Sequence, residues 1–341
     1  MSDQTDPKSR FAAKSLLIGG TLFILMLSIL LWPAQMTEMA AFVFWGLVAV
    51  APLVIPGIVL SAWIMASGAD AHIARAFEGR TIQTVIVASA IGAITPVCGI
   101  TVLPLMAGLL AAGIPLAPVM AFWLSSPVTD PAMLATTVAT LGLGFAVGKT
   151  VAAFGLGLWG GAITALFARR GWAVSALRQN RFVGSLAQRQ CCAPASYQAA
   201  IWRSAARRAH FWQICRATTR LILICLIPAF AAEYALNAAL HPAALTAYVG
   251  ADVWWAIPFA TLVGAPAYLD GYAALPLTRG LLDHGMSPGA AMAFLVSGGV
   301  VSIWGAMAIF PVLRLPPFLL YLALAVSGSL AAGYVFDWVM G

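Results

Sequence analysis

The segment Gly99–Ser125 recurs without a gap at Gly271–Ser297, 172 residues later in a chain of 341. The first copy reads GITVLPLMAGLLAAGIPLAPVMAFWLS and the second GYAALPLTRGLLDHGMSPGAAMAFLVS. Gly99/Gly271, Pro104/Pro276, Gly108/Gly280, Gly113/Gly285, Phe122/Phe294 and Ser125/Ser297 coincide. Glycine and proline punctuate helices, so shared punctuation implies that both halves break and restart their helices at matching points. Few folds satisfy such a constraint, and all of them are built from two similar halves.

The solvent of this fold follows from composition. Hydrophobic residues make up 62% of the chain and charged residues 9%, with a mean hydropathy of +0.94. A soluble domain carries about 25% charged residues. Too little polar surface is available to face water, and several apolar runs reach spanning length. The expected fold class is all-α: a polytopic membrane protein of two repeats with broken or re-entrant helices, plus one extra N-terminal helix. The alternating ten-residue pattern of a transmembrane β-barrel is absent.

Apolar runs are expected at Ser15–Trp32, Met39–Met65, Thr81–Thr95, Val147–Ala168, Thr218–Leu240, Asp252–Ala265, Val300–Leu313 and Pro317–Val339. Shorter helical pieces are expected at Gly99–Ala112, Pro115–Ser126, Gly271–His284 and Ser287–Val296, with Asp130-Pro131 starting another that runs to Leu141. The domains are then an N-terminal tail and first helix (1–38), repeat 1 (39–170), a basic connector (171–210) and repeat 2 (211–341). Part of the connector is expected to lie on the membrane surface, because Ile201, Trp202, Phe211 and Trp212 interleave with arginines.

Charge sets an expected orientation. Ten of the fifteen arginines lie between Arg169 and Arg220, a stretch without an acid. By the positive-inside rule this connector and the N-terminal tail are cytoplasmic, which makes the two repeats inverted in topology. Lys149 is then the one discordant charge, expected outside. The expected location is an inner membrane, crossed several times, with the lipid bilayer as the solvent partner. Nucleic acid is not an expected partner of so short a connector beside helices. A homo-oligomer is left open.

Backbone breaks are costly in lipid and are tolerated where they are buried in protein or line a cavity. Two breaks are expected, at Thr95-Pro96-Val97-Cys98-Gly99 and at Gly264–Gly271, which includes Pro266 and Asp270. They mark the expected translocation pathway, the alternative being packing kinks. Asp130 and Asp270 are the candidate proton carriers, since a desolvated carboxyl gains a raised pKa. Asp130 also reads as a helix cap. In register, Asp270 stands opposite Cys98, Asp130 opposite Ser302, and Gly298-Gly299 opposite Ser126-Pro127. Ser125, Ser126, Thr129, Ser297 and Ser302 are expected at the helix ends. There they either hold a polar or anionic group or satisfy freed carbonyls. Cys98, Cys191 and Cys192 are the candidate ligands for a soft metal or metalloid, with small buried hydrophobe as the other reading of Cys98. No cofactor and no catalytic set is expected: there is no Walker motif and no His-Glu-x-x-His, and the four histidines are scattered. A membrane scaffold and an intramembrane aspartyl hydrolase are the alternatives to a transporter.

Pro96-Val-Cys98-Gly99, Leu103-Pro104-Leu105-x-x-Gly108-Leu-Leu, Gly113-x-Pro115-Leu-x-Pro118 and Ala121-Phe122-Trp-Leu-Ser125-Ser126-Pro127-x-Thr129-Asp130-Pro131 resemble the predicted-permease family that includes the organoarsenical efflux permease ArsP. The block Gly264–Ser297 is similar to that family's second copy. The resemblance implies a permease and leaves its substrate open; characterised members export trivalent organoarsenicals. With the candidate proton carriers, the expected function is proton-coupled export of a small solute: a trivalent organoarsenical, a related metalloid or a small anion. The sequence departs from the family around Cys98, where a second thiol is missing, and Leu269-Asp270-Gly271 offers none in the second copy.

Overall fold

The computed structural model describes residues 33–69, 80–95, 102–111, 113–179, 197–239, 253–264, 271–301 and 303–340. The first half contains α1 (Pro33–Ser67), α2 (Thr81–Ile94), α3 (Leu103–Ala111), α4 (Leu116–Ser125), α5 (Pro131–Leu141) and α6 (Leu143–Leu166). A one-turn helix, α7 (Gly171–Val174), opens the connector, and a 3-10 turn (Ile201–Arg203) closes it. The second half contains α8 (Ala205–Ala239), α9 (Ala256–Gly264), α10 (Gly271–Asp283), α11 (Pro288–Val300), α12 (Ile303–Ile309) and α13 (Leu315–Met340). Among the described residues, five stretches are long and apolar enough to cross a membrane.

The repeat extends well beyond the duplicated segment. Helix α8 starts and ends 172 residues after α1, and α4, α5 and α6 each begin 172 residues before α11, α12 and α13. Pro56 inside α1 and Pro228 inside α8 are register mates, so both long helices carry a proline at the same place. Gly113 and Gly285 match as well, with φ of +86° and +94°. At both, the next amide donates five residues back, Ile114 to Leu109 and Met286 to Leu281, a glycine-dependent C-terminal motif.

Helix α8 begins thirteen residues before the expected Thr218, because Arg207, Arg208, Arg216 and Arg220 dilute the hydropathy there without weakening the helix; arginine is a good helix former. The connector is pinned to other elements at both ends. The Arg207 guanidinium donates to the Ser67 and Ala66 carbonyls (2.7 and 3.3 Å), and the Gln198 amide also donates to Ser67. These donors cap the C-terminus of α1. At its other end Leu177 bridges Leu313, and the Arg178 and Arg314 amides donate to Val312 and Ala176.

The core consists of α4 and α11. Every residue of α4 is buried, and so are nearly all those of α11. A helix that is apolar all round belongs inside other helices. Here α4 lies between α2 and α6, and α11 between α9 and α13. The crossings repeat. A side chain at Gly92 would strike Ser125 Oγ and approach the Phe122 carbonyl at 2.9 Å; one at Gly264 would strike Ser297 Oγ and approach the Phe294 carbonyl at 2.7 Å.

The equivalent helices of the two halves pack against each other, antiparallel. In the α1–α8 pair, Arg207 near the start of α8 meets the end of α1. Tyr234 near the end of α8 donates to Glu38 near the start of α1 (3.0 Å). In the α6–α13 pair, Gly144 lies against Met340, Phe145 against Phe336, and Trp159 donates to Ser327 (3.2 Å).

Replacing Gly92 or Gly264 by valine is expected to destabilise the protein by about 1–3 kcal/mol through overpacking. Gly155, where an added carbon meets nothing within 4 Å, is expected to accept alanine without loss. Thermal unfolding of the detergent-solubilised variants is the check, and equal melting of Gly92→Val and Gly155→Ala would refute the close crossing.

Candidate functional site

Four helices end within one region. Thr95 terminates α2, Ser126 follows α4, Gly264 ends α9, and Val301 follows α11. The crossings at Gly92–Ser125 and Gly264–Ser297 bring α2 to α4 and α9 to α11. The two halves then meet: a carbon built at Gly299 would lie 3.0 Å from the Pro127 carbonyl oxygen and 3.6 Å from Val128 Cα. Pro127 and Gly299 are register mates, so the halves touch at equivalent points.

Helix C-termini present carbonyls without intrahelical partners and a partial negative charge. The hydroxyls found here turn back onto their own helices. Thr95 Oγ1 donates to Ile91 (2.5 Å), Ser125 Oγ to Ala121 and Phe122 (2.9 and 3.1 Å), and Ser297 Oγ to Phe294 (3.2 Å). Each of these is a hydroxyl folded back on a carbonyl three or four residues earlier in its own helix, a common local bond of Ser and Thr. Ser126 and Thr129 are buried in the turn that follows α4. A cluster of helix C-termini suits a cation, a proton or a hydrogen-bond donor better than an anion.

Asp130 caps α5. Its Oδ1 accepts from the Ala132 and Met133 amides, both at 2.8 Å, with Pro131 in the first turn. Gly271 opens α10, which packs on both α5 and α11. Pro96, Cys98, Gly99, Pro266, Asp270 and Ser302 lie outside the described residues, as do Cys191 and Cys192. Among the described residues no group of three His, Cys, Asp or Glu side chains is placed to hold a metal. Arg279 pairs with Asp283 on an exposed face of α10 (3.0 Å).

One polar side chain beside this region escapes the sequence reading. Lys149, expected outside, is 2% exposed, and its ammonium lies 2.8 Å from Met133 Sδ in the first turn of α5. The expected span began at Val147, which leaves Lys149 at a helix end. The helix starts at Leu143, which carries the lysine about 9 Å inward. Its register mate is Tyr321, equally buried, whose hydroxyl donates to the Val300 carbonyl (2.6 Å) at the end of α11. Both halves thus direct a polar group at the segment next to their central helix, but only the first supplies an ammonium.

The predicted-permease model of the ArsP family matches residues 18–338. The chain belongs to that family. Together with the apolar helices, membership makes it a multi-pass membrane protein and points to a transporter rather than an enzyme. UPF0718 protein MJ0584 of Methanocaldococcus jannaschii is 32% identical over 116 residues, 34% of this chain and 32% of the relative. The chain thus spans about a third of the length of the curated relative it matches. No solved structure matches.

Loss of the Asp130 cap has a definite expected cost. Asp130→Ala is expected to lower stability by about 1 kcal/mol and Asp130→Ser to restore most of it. Thermal unfolding of the two purified variants decides the matter; equal destabilisation by both would refute the capping role.

Proposed function

We propose that this family member is a secondary transporter whose halves are inserted in opposite senses, with the substrate crossing where α2, α4, α9 and α11 end. The observation that carries this reading is the antiparallel packing of register mates, α1 against α8 and α6 against α13. Two equivalent helices that span a bilayer in opposite directions belong to halves that enter it from opposite faces. Alternating access is the usual consequence of such a design, with the site at the repeat interface. The contact of Pro127 with Gly299 favours that interface. The arginine-rich connector and N-terminal tail then face the cytoplasm of a cell with this protein in its inner membrane.

The resemblance to ArsP supports export of a trivalent organoarsenical, a related metalloid species or another small solute. Cys98 and Asp270 are register mates in the sequence, a soft donor in one half and a titratable acid in the other. Asp270, with Asp130 at the α5 cap, is the proposed proton carrier. A carboxyl that gives up its proton on one side and regains it on the other couples solute movement to the proton gradient.

Everted vesicles carrying the full chain are expected to accumulate a trivalent organoarsenical when energised. Asp270→Asn is expected to abolish that accumulation while the protein still inserts at wild-type level. Undiminished uptake by Asp270→Asn sinks the coupling role. A wild-type chain that moves none of a panel of arsenicals, metalloids and small anions sinks the transporter reading.

A further inference from the structure

Arg216 and Arg220 are the charged residues of an open face on the flank of α8. Both are exposed, as are Trp212, Leu223, Ile224 and Ile227. One helix face therefore runs, from the connector side inward, through an aromatic residue, two arginines and a strip of aliphatic side chains.

The depth of these residues can be read from the helix. Trp202, Phe211 and Trp212 form an edge-to-face cluster, with ring centroids 5.5 Å apart at each contact, where the connector enters α8. Such aromatic groups sit at the membrane interface. Arg216 lies about 6 Å and Arg220 about 12 Å further along the helix axis. Long side chains on a helix point back toward its N-terminus. Arg216 does so, its Nε donating to the Trp212 carbonyl (3.3 Å). Both guanidinium groups are thus drawn toward headgroup level from backbone positions in the hydrocarbon, where an exposed charge is costly without a counter-charge.

The other half shows that a lipid-facing position here needs no charge. The register mates of Arg216 and Arg220 are Phe44 and Val48 in α1, which are 60% and 45% exposed. Because α1 and α8 run antiparallel, those apolar positions belong to the opposite leaflet. The two arginines lie toward the side that bears the connector, a stretch with no acid between Arg169 and Arg220.

We propose that this face is a binding site for an anionic phospholipid of the connector-side leaflet. The lipid phosphate sits between the Arg216 and Arg220 guanidinium groups, which offer charge-assisted hydrogen bonds to its oxygens. One acyl chain runs along Leu223, Ile224 and Ile227. Trp212 borders the headgroup. The occupant is a lipid rather than a free anion because the aliphatic strip continues the cationic pair directly, and an isolated phosphate would leave it unused.

Native mass spectrometry of the detergent-purified full chain, titrated with dioleoylphosphatidylglycerol, tests this. Wild type is expected to retain the anionic lipid about tenfold better than dioleoylphosphatidylcholine, a comparison that needs no variant. Arg216→Gln with Arg220→Gln is expected to remove most of that preference, and Arg216→Lys with Arg220→Lys to keep part of it. Arg279→Gln, on a distant exposed pair, is expected to change nothing. The proposal is overturned by equal retention of the two lipids, by a glutamine double variant that keeps the preference, or by inorganic phosphate displacing the lipid completely.

Discussion

The structure depends on helices that end inside the protein. A backbone carbonyl in a water-poor interior needs a donor, and the last turn of a helix leaves several without one. Ser125, Ser297 and Thr95 turn their hydroxyls back onto their own helices, and Gly92 and Gly264 let the neighbouring helix approach the carbonyls of Phe122 and Phe294. These close crossings hold four helix termini near Pro127 and Gly299. The same arrangement leaves partial negative charge directed at the region, which is consistent with a pathway that handles protons or hydrogen-bond donors.

Duplication supplies the frame and divergence within it supplies the chemistry. The frame is close to exact over the described helices, from the long α1–α8 pair to the outer α6–α13 pair. Departures among the described residues include Lys149 for Tyr321, Ser126-Pro127 for Gly298-Gly299, and Arg216 and Arg220 for Phe44 and Val48. The packing departs too, since α5 rests on α6 and α10 whereas its mate α12 rests on α8. Equivalent sequences held in different surroundings are what a two-state carrier requires, because each half can adopt the arrangement of the other at little intrinsic cost.

Much of this was legible in the residues. Asp130-Pro131 marks the start of α5, and the predicted end at Leu141 is where the helix stops, because an N-cap followed by proline and a later glycine are strong local signals. Helix α2 stops at Ile94 with Thr95 extended, as a residue before proline is expected to be. Helix α8 was under-read because composition measures hydropathy and not helicity, so an arginine-rich helix end looks like a loop. Lys149 sits deeper in its helix than the expected start at Val147 implies, because α6 begins four residues earlier, at Leu143.

By itself, the sequence determined that the chain lives in lipid, that it is built twice, and where each copy breaks, because hydropathy, glycine and proline act locally and leave their mark in the order of residues. Only the tertiary structure decided which ends meet. Nothing local states that Gly92 lies on Ser125, that Pro127 touches Gly299, or that Lys149 faces Met133, since each contact joins helices separated by turns whose direction the chain does not encode residue by residue. The antiparallel packing of equivalent helices is likewise a property of the assembled body: it arises when two copies of one apolar surface are buried against each other.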